Sequence, residues 1–328
     1  MCAAGSRAGK RYRGMRSGIR SPASSAIIRK DPNHGRNTMK RFATLGMALA
    51  ATLSFGNAQA ADNNVVEIGY FNWSDALFTS HVAEYIISEK MGHEVEMTKA
   101  DPAAVYQAVA SGDLDFHTDA WLPDTHSDYF QKTAGKTVNL GPVYSRARLG
   151  WVVPNYVPKD QLNSIEDLKS DSIQDKLDGQ IIGIGPGAGL TRLSKKAMDE
   201  YGLKDAGYNL VISSGSGMTA ALKRAINNED WIVVTGWSPH WKFGRWDLRY
   251  IEDPKGVLGS IERADIVARV GFYREFPDVY EMLDRMTIPL DQVQAGMDRG
   301  EQSDYETAAR EYVENNEELV NFWITGEM

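Results

Sequence analysis

Three tryptophans, Trp73, Trp121 and Trp237, are the residues best suited to binding chemistry. Each lies just past a segment with the pattern of a β-strand. Loops at the carboxyl ends of strands in α/β sheets face the cleft in which such sheets bind ligands. Several indole faces around one point suit a cation that cannot donate hydrogen bonds, such as trimethylammonium, at about 0.5 to 2 kcal/mol per good contact. Taken singly, each tryptophan is explained better by packing than by ligand contact, but three at equivalent strand ends favour a binding role. Packing is our interpretation of the other five: Trp151, Trp231, Trp241, Trp246 and Trp323.

A glycine-rich turn offers a second kind of chemistry. Residues 185–190 (GPGAGL) follow a predicted strand and open a predicted helix, and residues 183–188 match the dinucleotide pattern G-x-G-x-x-A. Pro186 stiffens this turn, and the amino terminus predicts export to a compartment without a dinucleotide pool. Free N–H groups at a helix start bind a carboxylate as readily as a phosphate. The turn therefore predicts an anion site, and a carboxylate fits an exported protein better.

Histidines and aspartates are concentrated in one segment, residues 116–128, which holds His117, His126 and three aspartates. Imidazole and carboxylate groups are normal zinc ligands, so a metal-binding protein is one interpretation. Against it, His117 and Asp119 alternate along a predicted strand and can face away from His126. We favour a single histidine, His126, that donates a hydrogen bond to a carboxylate on the ligand.

No constellation for catalysis stands out. The chain has neither a G-x-S-x-G elbow nor an H-E-x-x-H helix, and its one cysteine is Cys2. We therefore expect no enzyme and no cofactor. A catalytic site made of scattered residues is the alternative that stays open.

The elements that must position these residues occur twice in the same order. A β-α-β-α-β pattern over residues 65–118 restarts over residues 165–235, which predicts an α/β protein of two lobes, each a mostly parallel sheet flanked by helices. The first helix is predicted over 76–91, with Ser74 or Asp75 as its cap. The candidate site loops begin near Phe71, Asp119, Gly185 and Gly236.

Two extended segments, 149–153 and 265–270, are predicted to be the crossover strands that form a hinge between the lobes. The helical segment 277–323 is expected to return to the first lobe. The predicted bounds are 61–147 and 264–328 for lobe 1, and 148–263 for lobe 2.

An export signal is predicted near the amino terminus. Lys40 and Arg41 follow Met39, an apolar run occupies 42–55, and residues 58–60 (AQA) form a small-residue cleavage pattern. The apolar run of 14 residues is too short for a membrane anchor, which needs roughly 20. We predict a signal peptide over 39–60 and interpret 1–38 as an untranslated or disordered extension.

Charge and cysteine usage narrow the class of protein. Of 36 basic and 44 acidic residues, 11 basic residues but only one acidic residue, Asp31, lie in 1–60. Residues 61–328 therefore carry 25 basic and 43 acidic residues, a formal charge of −18. Such a surface repels nucleic-acid backbones and anionic lipids. With Cys2 outside the mature part, no disulfide or lipid anchor is expected, which predicts a soluble periplasmic protein.

Four motifs in a fixed order resemble a known family. They are IGY at 68–70 leading to Trp73, AWLPDTH at 120–126, GIGPGAGL at 183–190 and VVTGWSPHW at 233–241. Together, over about residues 65–325, they resemble the glycine betaine and proline betaine binding proteins of ABC importers.

The resemblance implies a fold and a site. The fold is the two-lobed periplasmic binding protein fold of type II. In that family a cage of three tryptophans holds the quaternary ammonium group of the ligand, and two backbone N–H groups and a histidine hold its carboxylate. The matching residues are Trp73, Trp121 and Trp237 for the cage, and Gly189, Leu190 and His126 for the carboxylate.

The resemblance also implies partners. The ligand is a small quaternary-ammonium solute (glycine betaine, proline betaine, choline or carnitine), the second partner is an ABC transporter permease, and the protein is expected to be a monomer. Choline-binding relatives carry an aspartate two residues after the first cage tryptophan, where this sequence has Asp75. A binding protein specific for choline or carnitine is therefore the alternative.

Overall fold

The computed structural model describes residues 65–327, so the predicted signal peptide and the extension before it lie outside the described residues. Its strands are β1 (Val65–Tyr70), β2 (Glu94–Lys99), β3 (Phe116–Leu122), β4 (Thr137–Pro154), β5 (Gln180–Ile182), β6 (Asn209–Val211), β7 (Val234–Ser238), β8 (Leu248–Tyr250) and β9 (Ile261–Arg269). Its α-helices are α1 (Ser74–Tyr85), α2 (Pro102–Ser111), α3 (Ser127–Lys132), α4 (Asp171–Leu177), α5 (Gly189–Glu200), α6 (Gly215–Asn228), α7 (Lys242–Arg245), α8 (Phe272–Glu275), α9 (Pro277–Arg285), α10 (Leu290–Gln302), α11 (Tyr305–Asn315) and α12 (Glu317–Thr325). A π-helical turn, Ile86–Lys90, continues α1, and a 3-10 helix spans Ile165–Lys169.

The strands pair in the order β2-β1-β3-β9-β4-β7-β5-β6, with β8 on β4. The pairs of β1 with β2 and β3, and of β5 with β6 and β7, are parallel, as predicted for strands joined by helices. The central pairs, in which β4 and β9 take part, are antiparallel. The sheet is therefore mixed, parallel toward both edges and antiparallel in the middle.

Strands β4 and β9 connect two halves of the molecule. They pair with each other from Thr137 opposite Arg269 to Arg148 opposite Ile261, and β4 then pairs with β7. We call residues 65–136 and 270–327 the first half, and residues 155–260 the second half. The predicted segment 149–153 lies inside β4, and 265–270 lies inside β9 except for Val270, but β4 begins twelve residues earlier than expected. Its first part has three register shifts, and such irregularities weaken the period-2 pattern from which a strand is predicted.

The C-terminal helices cover the first half. Phe78 of α1 packs edge-on against Tyr312 of α11, with ring centroids 5.5 Å apart. It also lies under Gly296 of α10, where an added Cβ would come within 2.2 Å of the phenyl ring. These contacts bury the apolar side of α1 and so hold the residues at its first turn in place. In residues 65–327 no helix has both the length and the apolar character needed to cross a bilayer.

Two expectations about strand ends are wrong. Trp121 and Trp237 were expected in loops, but they lie within β3 and β7. Trp121 is paired opposite Ala264 of β9, and Trp237 opposite Leu149 of β4. The long antiparallel partners thus continue both strands past the point where their own sequences predict an end.

The cap of α1 also differs from the expectation. Trp73 occupies the N-cap position, and Ser74 and Asp75 form the first turn instead. Trp73 has extended backbone angles there and no side-chain capping bond. This places an indole, rather than a polar cap, at the start of the helix.

Candidate functional site

A small cavity of about 30 Å³ is bounded by residues from both halves. The seven residues selected from the sequence all lie on its wall, together with four others. The lining residues are Trp73, Asp75, Trp121, Thr125, His126, Leu149, Ile184, Ala188, Gly189, Leu190 and Trp237.

The three tryptophans reach the cavity from different elements, and the indole N–H groups of Trp121 and Trp237 have protein partners. Trp121 Nε1 donates to Asp119 Oδ1 at 2.8 Å, and Trp237 Nε1 donates to Asp75 Oδ1 at 3.2 Å. Trp73 lies nearly parallel to the ring of His126, with centroids 5.9 Å apart. With the N–H edges of Trp121 and Trp237 engaged, these side chains offer ring surface to the cavity. Ring surface attracts cations and excludes water.

A buried acidic pair supports the tryptophans. Tyr144 donates its hydroxyl to Asp75 Oδ2 at 2.8 Å and lies 3.3 Å from Asp119 Oδ1. Burial raises the pKa of Asp75, and burial together with the nearby Asp75 carboxyl raises the pKa of Asp119 well above its usual range. Two carboxylates in a dry environment disfavour a charge on each, so the pair titrates as a unit.

Asp75 has a defined place in this arrangement. Its two oxygens accept hydrogen bonds from Tyr144 and from Trp237, and Trp237 belongs to the other half of the molecule. Asp75 is the residue whose position in the sequence left choline as an alternative ligand. In the structure it links Tyr144 and Trp237 through these two hydrogen bonds.

His126 presents one nitrogen without a protein partner. Its Nδ1 lies 3.1 Å from the amide nitrogen of Trp121, which can only donate, and 3.1 Å from the carbonyl oxygen of Asp119, which can only accept. Burial lowers the pKa of His126 to about 3, so the ring is neutral, and its proton is on Nε2 when Nδ1 accepts from Trp121. Among the described residues, Nε2 is buried and has no hydrogen-bond partner. A buried polar nitrogen of this kind calls for a partner.

Capping does not explain His126. Helix α3 begins at Ser127 with His126 at its N-cap position, and the imidazole makes no capping hydrogen bond. The side chain instead lines the cavity.

The glycine turn brings the start of α5 to the same end of the cavity. The first N–H groups of a helix have no partner inside the helix, and here they belong to Gly189 and Leu190. An added Cβ at Gly189 would lie 2.2 Å from the carbonyl oxygen of Thr125, so only glycine allows this approach. The helix start and His126, one residue after Thr125, are thereby placed side by side.

The metal interpretation has no support in the described residues. His117 and His126 both pack against Phe71 and Tyr106, and burial lowers the pKa of each histidine to about 3. Within residues 65–327 there is no group of three or more histidine, cysteine or acidic side chains placed to hold a metal ion.

Several contributors were missed by sequence reasoning. Ile184 and Ala188 belong to the glycine-turn motif, and Thr125 to the motif of His126, so a closer inspection of both motifs would have found them. Leu149 and Tyr144 lie on β4, where no local signal distinguishes a lining residue from a core residue.

Comparisons with known proteins point to one family. Residues 64–315 match the sequence profile of the substrate binding domain of ABC-type glycine betaine transport systems. The chain is 34% identical over 161 residues to the glycine betaine/carnitine transport binding protein GbuC of Listeria monocytogenes serotype 1/2a (strain 10403S). That match covers 49% of this chain and 53% of GbuC, so the chain spans about half the length of that curated relative.

Two solved structures match over most of the chain. One is lactococcal OpuAC in a closed, liganded conformation with glycine betaine, at 35% identity and a TM-score of 0.74, covering 80% of this chain and 100% of that one. The other is the glycine betaine, L-proline transporter binding protein ProX of Borrelia burgdorferi, at 34% identity and a TM-score of 0.74, covering 79% of this chain and 96% of that one.

Proposed function

Because the chain belongs to the family of substrate binding domains of ABC-type glycine betaine transport systems, we propose that it captures glycine betaine, or a closely related quaternary-ammonium solute, for delivery to an ABC transporter. The predicted fold class, an α/β periplasmic binding protein fold of type II, is confirmed by the solved relatives. The observation that carries the proposal is one cavity lined by three tryptophans, a buried imidazole nitrogen without a partner among the described residues, and a helix start.

The aromatic end of the cavity suits the ammonium group. A trimethylammonium group has no N–H to donate, so burial costs it no hydrogen bond, and its methyl groups gain from contact with ring faces. Trp73, Trp121 and Trp237 supply those faces. Leu149 and Ile184 add apolar side chains to the cavity wall, and exclusion of water strengthens cation–π attraction.

The polar end suits a carboxylate. A buried carboxylate without partners costs several kcal/mol, and here His126 Nε2–H and the N–H groups of Gly189 and Leu190 can donate to it. The partial positive charge at a helix N-terminus adds to this preference. A zwitterion with trimethylammonium at one end and carboxylate at the other therefore satisfies both ends of the cavity.

Ligand capture is proposed to be coupled to closure. The cavity wall combines Trp73, Trp121 and His126 from the first half with Gly189, Leu190 and Trp237 from the second half. A ligand that touches both halves gains contacts in the closed form that the open form lacks, so it shifts the population toward closure. A transporter can recognise that closed form as loaded.

The location and the partner follow from the same proposal. The signal peptide predicted over 39–60 sends the protein to the periplasm, where it works as a binding protein rather than an enzyme and meets the permease of its transporter. Prolonged incubation with glycine betaine should therefore return the ligand chemically unchanged, and a detectable product would contradict a pure binding role.

Calorimetry on residues 61–328 tests the proposal. We expect saturable one-to-one binding of glycine betaine, which proline betaine, carnitine, choline and dimethylsulfoniopropionate follow in an order still to be measured. Glycine is the matched control, because it has the same carboxylate but an ammonium group whose N–H donors find no acceptors in an aromatic cage. No binding by any quaternary ammonium compound, or equal binding of glycine, would contradict the proposal. Binding that chelator treatment abolishes would favour a metal-binding protein instead.

A further inference from the structure

Arg192 lies outside the cavity yet joins the two halves beside it. It occupies the first turn of α5, three residues after Gly189, and reaches from the second half to the first. Its Nη2 donates to the carbonyl oxygens of Asp124 at 3.0 Å and Thr125 at 3.1 Å. Its Nε also forms an ion pair with Asp128 Oδ2 at 3.2 Å.

The carbonyl groups that Arg192 contacts belong to a segment held firmly in place. Glu262 of β9 is buried and accepts the N–H groups of Asp124 at 3.0 Å and Thr125 at 2.9 Å, as well as the Thr125 hydroxyl. The N–H groups of this segment are thus anchored to β9, and its carbonyl groups are left to accept from Arg192. The next residue in the chain is His126.

A second contact joins the same two segments. The hydroxyl of Tyr129 donates to the carbonyl oxygen of Gly187 at 2.9 Å. The close approach of Gly189 to Thr125 and the hydrogen bonds of Arg192 are the other contacts, so segment 124–129 meets segment 187–192 at three points. The imidazole of His126 and the first N–H groups of α5 therefore have a defined separation.

We infer that Arg192 is a positioning residue that sets the distance between His126 and the start of α5, and so the preference for ligands that carry a carboxylate. Hydrogen bonds to a carboxylate weaken steeply when donors are displaced, whereas ring faces tolerate small shifts. Loss of Arg192 should accordingly penalise a carboxylate ligand more than one that has only the ammonium group. This inference rests on the proposed function.

The test compares three ligands in the wild type and two variants. Dissociation constants for glycine betaine are measured by calorimetry, and those for choline and tetramethylammonium by competition, in the wild type, Arg192→Ala and Lys195→Ala. Lys195 lies on the same helix, is exposed and carries the same charge, so it is the matched control. We expect Arg192→Ala to weaken glycine betaine by about ten-fold, the loss of one or two charged hydrogen bonds, and the other two ligands by less than about three-fold. Lys195→Ala should leave the affinities for all three ligands unchanged.

Tyr129→Phe is the second variant, and it keeps the inference testable if Arg192→Ala fails to fold. It removes one hydroxyl and should weaken glycine betaine by about two- to three-fold with a smaller effect on choline. Equal losses for both kinds of ligand, or no loss in either variant, would overturn the inference. A wild-type protein that binds no quaternary ammonium ligand would instead overturn the proposed function, so the two failures are distinguishable.

Discussion

The two ends of the cavity differ in how they would recognise a ligand. The aromatic end offers ring surfaces from three tryptophans, which attract any quaternary ammonium group with little demand on its orientation. The polar end offers a few directed donors, His126 Nε2–H and the start of α5, whose strength depends on distance and angle. We therefore expect affinity for the whole class of solutes to come from the aromatic end, and discrimination within the class to come from the polar end.

Removal of His126 should break the polar end alone. We expect His126→Ala to lower glycine betaine affinity by about 1.5 to 3 kcal/mol, the range for a hydrogen bond to a charged group, while choline loses much less. Side-by-side calorimetry of both ligands checks this. Equal losses for the two ligands would show that His126 acts through packing and would move the preferred ligand toward choline.

Truncation of a cage tryptophan should weaken every ligand of the class. Replacement of Trp73, Trp121 or Trp237 by alanine should cost each ligand about 1 to 2 kcal/mol, roughly ten-fold or more in affinity. Trp231→Ala is the control, since Trp231 is partly buried away from the cavity and packs against Lys176. If all three cage variants keep wild-type affinity, the aromatic end does not bind the ligand.

Removal of the charge at Asp75 tests whether its carboxylate faces the ligand. Asparagine has the same shape and can still accept from Trp237 Nε1, so Asp75→Asn should change glycine betaine and choline affinity by the same small factor, less than about three-fold. Competition binding of both ligands measures it. A selective loss of choline would mean that the Asp75 carboxylate faces the ligand and that the choline alternative deserves preference.

Substitution of Lys242, which packs against Trp237, tests whether this residue matters for ligand binding or only for stability. Its Nζ is buried 4.4 Å from the ring centroid of Trp237 and has no hydrogen-bond partner among the described residues. Burial lowers the pKa of Lys242 well below its usual value. We expect Lys242→Met to leave ligand affinity within about two-fold but to raise the free energy of unfolding by about 1 to 3 kcal/mol at pH 7, because a buried unpartnered amine is costly.

The stability gain of Lys242→Met should depend on pH, because the pKa of Lys242 is lowered in the folded protein. Below the unfolded-state pKa of about 10.4 the unfolded chain binds a proton at Lys242 that the folded protein does not, so the wild type loses stability as pH falls from there toward the lower folded pKa. The advantage of Lys242→Met should therefore shrink as pH rises from 7 toward 10. Urea titrations at several pH values measure it, with the exposed Lys196→Met as control. A stability gain that is constant with pH would contradict the lowered pKa of Lys242 in the folded protein.

Much of the candidate site was accessible from the sequence because its residues lie in short motifs. Trp121 and His126 are five residues apart, and the turn that ends in Gly189 directly opens a helix, so residue type and spacing alone indicate a cage and an anion site. The α/β order and most helices were likewise predictable, since they depend on local periodicity. The division into lobes at 148 and 263 stays a prediction, because the sheet continues through β4 and β9.

What the sequence determined by itself is therefore the set of chemical groups: three indoles, one histidine, a glycine-opened helix and an excess of acidic residues over 61–328. Only the tertiary structure decided how they are oriented. It extends β3 and β7 along β9 and β4, gives the oxygens of Asp75 to Tyr144 and Trp237, and sets Arg192 across the cleft. Each of these depends on partners distant in the chain, whereas local patterns report only on neighbours within a few residues. Hydrogen bonds are directional, so their assignment requires the positions of both partners.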